Sequence, residues 1–148
     1  MLFRSTLCSK IVEDFLPKAL NTNILSEIEK HKKAGRDTWI ITASPKEIAE
    51  VISMKLNMTG GFGTEGEIID EKYSGKLEKK PLHGFSKAEK IEELSKLYSY
   101  NLDESYAYSD SINDLPLLTI VGNPNIVNPN KELQTVAIKN NWRILESA

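Results

Sequence analysis

Twice in this sequence a short run of β-forming residues passes directly into the start of a helix, and this restricts the possible folds more than any other feature. Thr38-Trp39-Ile40-Ile41-Thr42 shows no apolar–polar alternation, as expected of a strand covered on both faces in a parallel sheet. Ser44-Pro45-Lys46-Glu47 then supplies a cap hydroxyl, a proline for the first helical position and a glutamate three residues after the cap. Ile48, Val51 and Ile52 give that helix its expected buried stripe. The second run, residues 105–109, leads through Asp110-Ser111-Ile112-Asn113-Asp114 into a short helix around residues 115–118. Asn125-Ile126-Val127 and residues 142–145 predict two further strands, separated by a helix that Asn128-Pro129 starts and that carries Leu133, Val136 and Ala137. Strands alternating with helices at this spacing predict an α/β fold with a mostly parallel sheet.

The remainder of the chain fits around that core. Ile11, Val12, Phe15 and Leu16 recur at helical spacing until Pro17 limits continuation. A second helix is capped by Asn23, carries Ile24, Leu25 and Ile28 on one face, ends in Lys30, Lys32 and Lys33, and stops at Gly35. Residues 60–79 are punctuated by Gly60, Gly61, Gly63, Gly66 and Gly75 and read as a hairpin or flap. Ser86-Lys87-Ala88-Glu89 opens a further capped helix whose inner face is Ile91, Leu94 and Leu97 or Tyr98.

Composition excludes several classes of function. A chain of 148 residues, 40% hydrophobic and 27% charged, is able to build one core and is neither collagen-like nor low-complexity. Nineteen Lys+Arg against 21 Asp+Glu leave a formal charge of −2, so no basic field argues for nucleic acid or an anionic membrane surface. Cys8 is the single cysteine and has no internal disulfide partner. No apolar stretch approaches the roughly 18 residues of a membrane span, and the first residues lack the pattern of a secretory signal. The expectation is a cytoplasmic protein.

Gly61-Phe62-Gly63-Thr64-Glu65-Gly66 matches G-x-G-x-x-G, but a dinucleotide site needs a strand before it and a helix after it. Here a helix precedes and β-like residues follow, so no nucleotide site is expected. His31 and His83 have no partner at metal-like spacing and read as surface residues. Three other features carry chemistry. Thr42 ends a strand where a helix begins, which makes it either a plain strand terminus or a hydroxyl that holds a phosphate beside backbone N–H groups. Lys87 stands at a helix start, where the dipole disfavours a cation, so it is either an exposed lysine or one placed for function. Asp110 and Asp114 lie just past the carboxyl end of a strand, either as a cap with a solvated neighbour or as two carboxylates that share a cation.

At these residues the chain resembles the haloacid dehalogenase superfamily. Thr42 in Trp39-Ile-Ile-Thr-Ala-Ser-Pro45, Lys87 in Gly84-Phe-Ser-Lys87, and Ser109-Asp-Ser-Ile-Asn-Asp-Leu-Pro116 are similar to its motifs II, III and IV. The similarity is nearest to the phosphoserine-phosphatase-like I B hydrolases, runs from about Phe15 to Leu145, and includes the tail from Val127-Asn-Pro-Asn130 to Trp142. It implies a Rossmann-like core over residues 37–148, with residues 1–36 the remnant of a helical cap and lead-in helix, and a small β-hairpin flap. It also implies Mg²⁺-dependent hydrolysis of a phosphate monoester through an aspartyl-phosphate. In that scheme Thr42 hydrogen-bonds the phosphoryl oxygens and Lys87 neutralises charge on the phosphate and nucleophile. Asp110 ligates Mg²⁺, Asp114 supports the metal's water shell or Lys87, and Ala43, Ser44, Ser111 and Asn113 line the loops.

One departure changes the expectation. The family's first motif is a strand ending Asp-x-Asp-x-Thr, which supplies the nucleophile, and no Asp-x-Asp occurs among Asp14, Asp37, Asp70, Asp103, Asp110 and Asp114. The chain therefore reads as a phosphatase lacking motif I and its central strand, inactive by itself and with weak or no Mg²⁺ binding. The alternative is a non-catalytic module that binds or self-associates through unpaired strand edges. Thr42-Ala43-Ser44 stands where phosphoserine phosphatases carry Ser-Gly-Gly, and Ser109 where they carry glycine. The implied substrate is thus another small or lipid-linked phosphate monoester.

Overall fold

The computed structural model describes residues 22–69, 72–77 and 84–146, in two compact units divided between Leu82 and His83. The helix expected over residues 9–20, together with Cys8 and His83, lies outside the described residues.

The first unit opens with helix α1 (Thr22–Lys33), which includes Asn23 and is stopped by Gly35 at a φ of 78°. That left-handed conformation is the reason a glycine ends the helix there. Ile24, Leu25 and Ile28 are half-buried, and Glu27 and His31 are the buried residues of the helix. His31 is therefore not the surface residue expected; its ring lies 3.3 Å from the Arg36 guanidinium and its carbonyl accepts the Arg36 N–H.

Strand β1 (Trp39–Pro45), helix α2 (Lys46–Lys55) and strand β2 (Gly60–Thr64) form a β-α-β unit with the two strands parallel. The Gly60–Thr64 segment was expected within a hairpin; it is a parallel strand because helix α2 returns the chain to the same end of β1, as a crossover must. Trp39 and Phe62 stack across the pair at 5.4 Å. The helix also begins differently from expectation. β1 runs through Pro45, α2 starts at Lys46, and no side chain caps it, because Ser44 is still in the strand. The buried positions of α2 are Glu47, Ala49 and Ser53, with Ile48, Val51 and Ile52 half-buried.

Close approach of backbones explains two of the glycines. A Cβ at Gly61 stands 2.6 Å from the Ala49 carbonyl oxygen, and one at Gly63 stands 2.5 Å from the Ser44 carbonyl oxygen and 2.6 Å from Lys46 Cα. The G-x-G of this segment thus serves strand–helix packing. Gly63→Ala is expected to destabilise the first unit by about 2 kcal/mol, since the contacts are backbone and overpacking of this kind costs about 1–3 kcal/mol; urea unfolding measures it, and a change below about 0.5 kcal/mol contradicts the packing. Strands β3 (Gly66–Ile69) and β4 (Lys72–Leu77) pair antiparallel as the expected hairpin.

The second unit contains helix α3 (Phe85–Tyr98), strand β5 (Tyr106–Ser109), helix α4 (Leu115–Ile120), strand β6 (Asn123–Val127), helix α5 (Lys131–Lys139) and strand β7 (Arg143–Leu145). The three strands form a parallel sheet in the order β5-β6-β7. Its core is Ala107, Leu117, Leu118, Val121, Ile126, Leu133 and Ala137, with Ile91, Leu102, Trp142 and Ile144 packed against it. Helix α5 begins two residues later than expected, because the Asn130 side chain rather than Asn128 accepts the Leu133 N–H. In α3 the inner residues are Lys87, Ala88 and Leu94, whereas Leu97 and Tyr98, one or the other of which is expected inside, are 70% and 50% exposed. No helix among the described residues is long and apolar enough to cross a membrane.

Candidate functional site

The motif II residues belong to the first unit. Regular pairing of β1 with β2 holds from Trp39 to Ile41, shifts, and resumes at Pro45 opposite Thr64. Thr42, Ala43 and Ser44 occupy that irregular stretch, where the ladder's hydrogen bonds are interrupted. The Thr42 hydroxyl accepts the Ser44 N–H at 3.1 Å, a local turn that side chains of this type favour. Thr42 is half-buried, while Ala43 and Ser44 are exposed. The segment thus sits where strand gives way to helix, with its hydroxyl facing its own backbone.

The motif III and IV residues belong to the second unit. Helix α3 starts after Gly84, whose φ of 57° suits glycine, and Ser86 lies within the helix instead of capping it. Lys87 is therefore the third helical residue, and it is buried. Its Nζ stands 2.8 Å from Asp114 Oδ1, with both side chains 11% exposed. Oδ1 is buried and has no hydrogen-bond partner, so the contact is an ion pair. A cation at a helix start is opposed by the dipole. The opposing carboxylate is what allows Lys87 to be there.

Asp114 reaches that position through the loop that follows β5. Ser111 accepts the Asn113 N–H on its hydroxyl at 3.1 Å and the Asp114 N–H on its carbonyl at 3.1 Å, winding residues 112–114 into a 3₁₀ turn. Asp114 stands at the N-cap of α4, yet its side chain makes no cap hydrogen bond. Its Oδ2 instead accepts the Ser109 hydroxyl at 2.6 Å. The capping role considered for the acidic pair is thus not the one Asp114 adopts, because Lys87 and Ser109 take both of its oxygens. Asp110, next after β5, and Asn113 are solvent-exposed, and Ser111 is half-buried.

The structure therefore brings together Lys87, Asp114 and the Ser111–Asn113 loop, and leaves Asp110 open to solvent at the carboxyl end of β5. Thr42, Ala43 and Ser44 are placed within the other unit. A Mg²⁺ site of the family's kind is not complete in these residues. Asp114 is turned to Lys87, Asp110 offers one open carboxylate, and no group of three or more His, Cys, Asp or Glu side chains comes together among the described residues. Sequence reasoning passed over Ser109 as a working residue and noted it as a departure from glycine. The available signal was a hydroxyl at the last position of a buried strand, five residues before an aspartate.

Known proteins resemble this chain in sequence and fold. The description of haloacid dehalogenase-like hydrolases fits residues 3–119. A phosphoserine phosphatase of Mycobacterium tuberculosis is 39% identical over 116 residues, covering 78% of this chain and 38% of that protein. A probable phosphatase of the same organism is 34% identical over 140 residues, covering 95% of this chain and 48% of that protein. The chain thus spans 38% and 48% of these relatives' length. A crystal structure of a Bordetella pertussis protein of unknown function superposes with a TM-score of 0.85 at 24% identity, over 97% of this chain and 66% of that one, which shows the shared fold. A family match across most of the chain, relatives above 30% identity and a parallel α/β core of the same kind make this chain a member of the haloacid dehalogenase-like hydrolases.

Proposed function

We propose that this chain carries the charge-neutralising and phosphate-binding half of a phosphatase acting on small phosphate monoesters. The observation that carries the reading is the buried Lys87–Asp114 pair at 2.8 Å, beside an exposed Asp110 at the carboxyl end of β5. A buried ammonium on a scaffold of helix and sheet opposes the charge that spreads over phosphoryl oxygens in the transition state, which is where most of the stabilisation in phosphoryl transfer arises. Lys87 would face the phosphate, and Asp114 would orient it. Ser111 and Asn113 would line the rim of that position; for Thr42, Ala43 and Ser44, within their own unit, phosphoryl binding is what the family resemblance implies. Asp110 is the residue open to a divalent cation. The substrate, small or lipid-linked, would be chosen by elements outside these residues.

No Asp-x-Asp occurs in the 148 residues, so an aspartate nucleophile of the motif I kind has to come from another segment. The test supplies it. In a protein in which this chain is joined to a strand ending Asp-x-Asp-x-Thr, an aryl phosphate should be hydrolysed with Mg²⁺. Lys87→Ala and Asp110→Asn should each lower that turnover by about 10³-fold, the scale of one transition-state contact. Turnover untouched by both substitutions overturns the reading. The missing motif also favours a second reading, a non-catalytic module that pairs a strand of another chain, or of a second copy, through the edges of β1 and β5; each has one ladder partner among the described residues. A concentration-dependent native mass without any turnover in the joined protein would select it.

A further inference from the structure

We propose that Ser109 is a positioning residue that sets the direction of the Asp114 carboxylate and, through it, the place of the Lys87 ammonium. The purpose of this device rests on the phosphatase reading above, but its geometry does not. Ser109 is the last residue of β5 and is buried. A serine hydroxyl has one hydrogen to give. Asp114 Oδ2 lies 2.6 Å away and the Ser111 carbonyl oxygen 3.5 Å away, so the charged and nearer acceptor takes it. The Ser111 N–H donates into the same hydroxyl at 3.1 Å, which leaves the oxygen little freedom to rotate.

The consequence falls on Asp114. The terminal torsion of an aspartate is broad and roughly two-fold, so the backbone of the 3₁₀ turn does not by itself decide where its oxygens point. With Oδ2 tied to the end of β5, Oδ1 is the oxygen that meets Lys87 Nζ at 2.8 Å. Lysine is a flexible stem with a point charge at its tip and no directional fork. Its position is therefore decided by the oxygen it meets, and that oxygen by Ser109. Glycine or alanine at residue 109 would leave Oδ2 buried without this donor. The serine thus transmits the rigidity of the sheet to an ammonium on a separate helix.

Acylation of Lys87 by a water-soluble succinimidyl acetate, followed by peptide mass spectrometry with Lys90 of the same helix as reference, reads this directly. It needs neither substrate nor metal. Nζ is shielded while it rests against Asp114, and reagent reaches it when the pair loosens. In Ser109→Ala the Lys87 rate relative to Lys90 should rise about tenfold, as expected for loss of a hydrogen bond to a charged group. Ser109→Thr, which keeps the hydroxyl, should stay within about twofold of the parent. In an Asp114→Asn background, Ser109→Ala should add little, because the two residues act in series. A Lys87 rate unchanged by Ser109→Ala, or a full additional tenfold rise on Asp114→Asn, overturns the proposal. General loosening of the fold would raise Lys90 as well, and this too counts against it. A parallel arm adds inorganic phosphate to the parent chain joined to the motif I strand. If phosphate leaves Lys87 unprotected while the double-substitution result holds, the phosphate reading falls and the positioning role stands; protection with full additivity does the reverse.

Discussion

Given an aryl phosphate and Mg²⁺, the 148-residue chain is expected to release phosphate some 10⁴–10⁶-fold more slowly than the same chain joined to a strand ending Asp-x-Asp-x-Thr. The estimate follows from what covalent catalysis requires. An attacking carboxylate divides one difficult displacement into two easier ones, and groups that act as a unit lose nearly the whole advantage when one is removed. In the proposed function Lys87, Asp114 and Thr42 would only bind and stabilise charge. Steady-state release of p-nitrophenol by the two proteins, purified side by side, measures the ratio. A ratio below about tenfold, with turnover by the short chain that disappears on Asp110→Asn, would mean that a nucleophile exists within these 148 residues and that the family comparison misled the assignment.

The second large effect is on stability. Lys87→Met is expected to cost about 3–5 kcal/mol, because it leaves the Asp114 carboxylate with 11% of its side chain exposed and without its counter-charge. In the joint variant Lys87→Met/Asp114→Leu the loss should be much smaller, since a buried pair replaced on both sides by apolar groups is often close to neutral. The difference between the two variants isolates the cost of an orphaned charge. Because the chain divides into two compact units, the loss should appear in the transition of the second unit and leave the first in place. Urea unfolding followed by tryptophan emission distinguishes them, with Trp39 in one unit and Trp142 in the other. A Lys87→Met protein within about 1 kcal/mol of the parent would show that the pair opens in solution.

The order of elements was legible because period and punctuation are local properties. The β-forming runs at β1 and β5 and the stop at Gly35 are each written within a few neighbouring residues. Errors gathered where a distant backbone decides. Gly61 and Gly63 read as turn residues until helix α2 is placed against β2, and only then does their lack of a Cβ have a packing reason. Leu97 and Tyr98 carry the right period for the inner face of α3, yet lie exposed. His31 and Glu27 are polar and nevertheless buried on α1, which hydropathy alone does not anticipate.

The candidate site divides in the same way. Thr42, Lys87, Asp110 and Asp114 were recognisable from their neighbours and their order along the chain, because strand ends and helix starts constrain which residues stand there. Their partners were not. That Asp114 meets Lys87 rather than capping its own helix depends on 26 intervening residues folding back, and on a serine hydroxyl with a single hydrogen to give. The sequence by itself determined the class of fold, the family and the residues that carry charge, since those rest on local pattern. The tertiary structure alone decided which charge faces which, because an ion pair and a hydrogen bond depend on distance and direction, and neither is written in the spacing of residues along a chain.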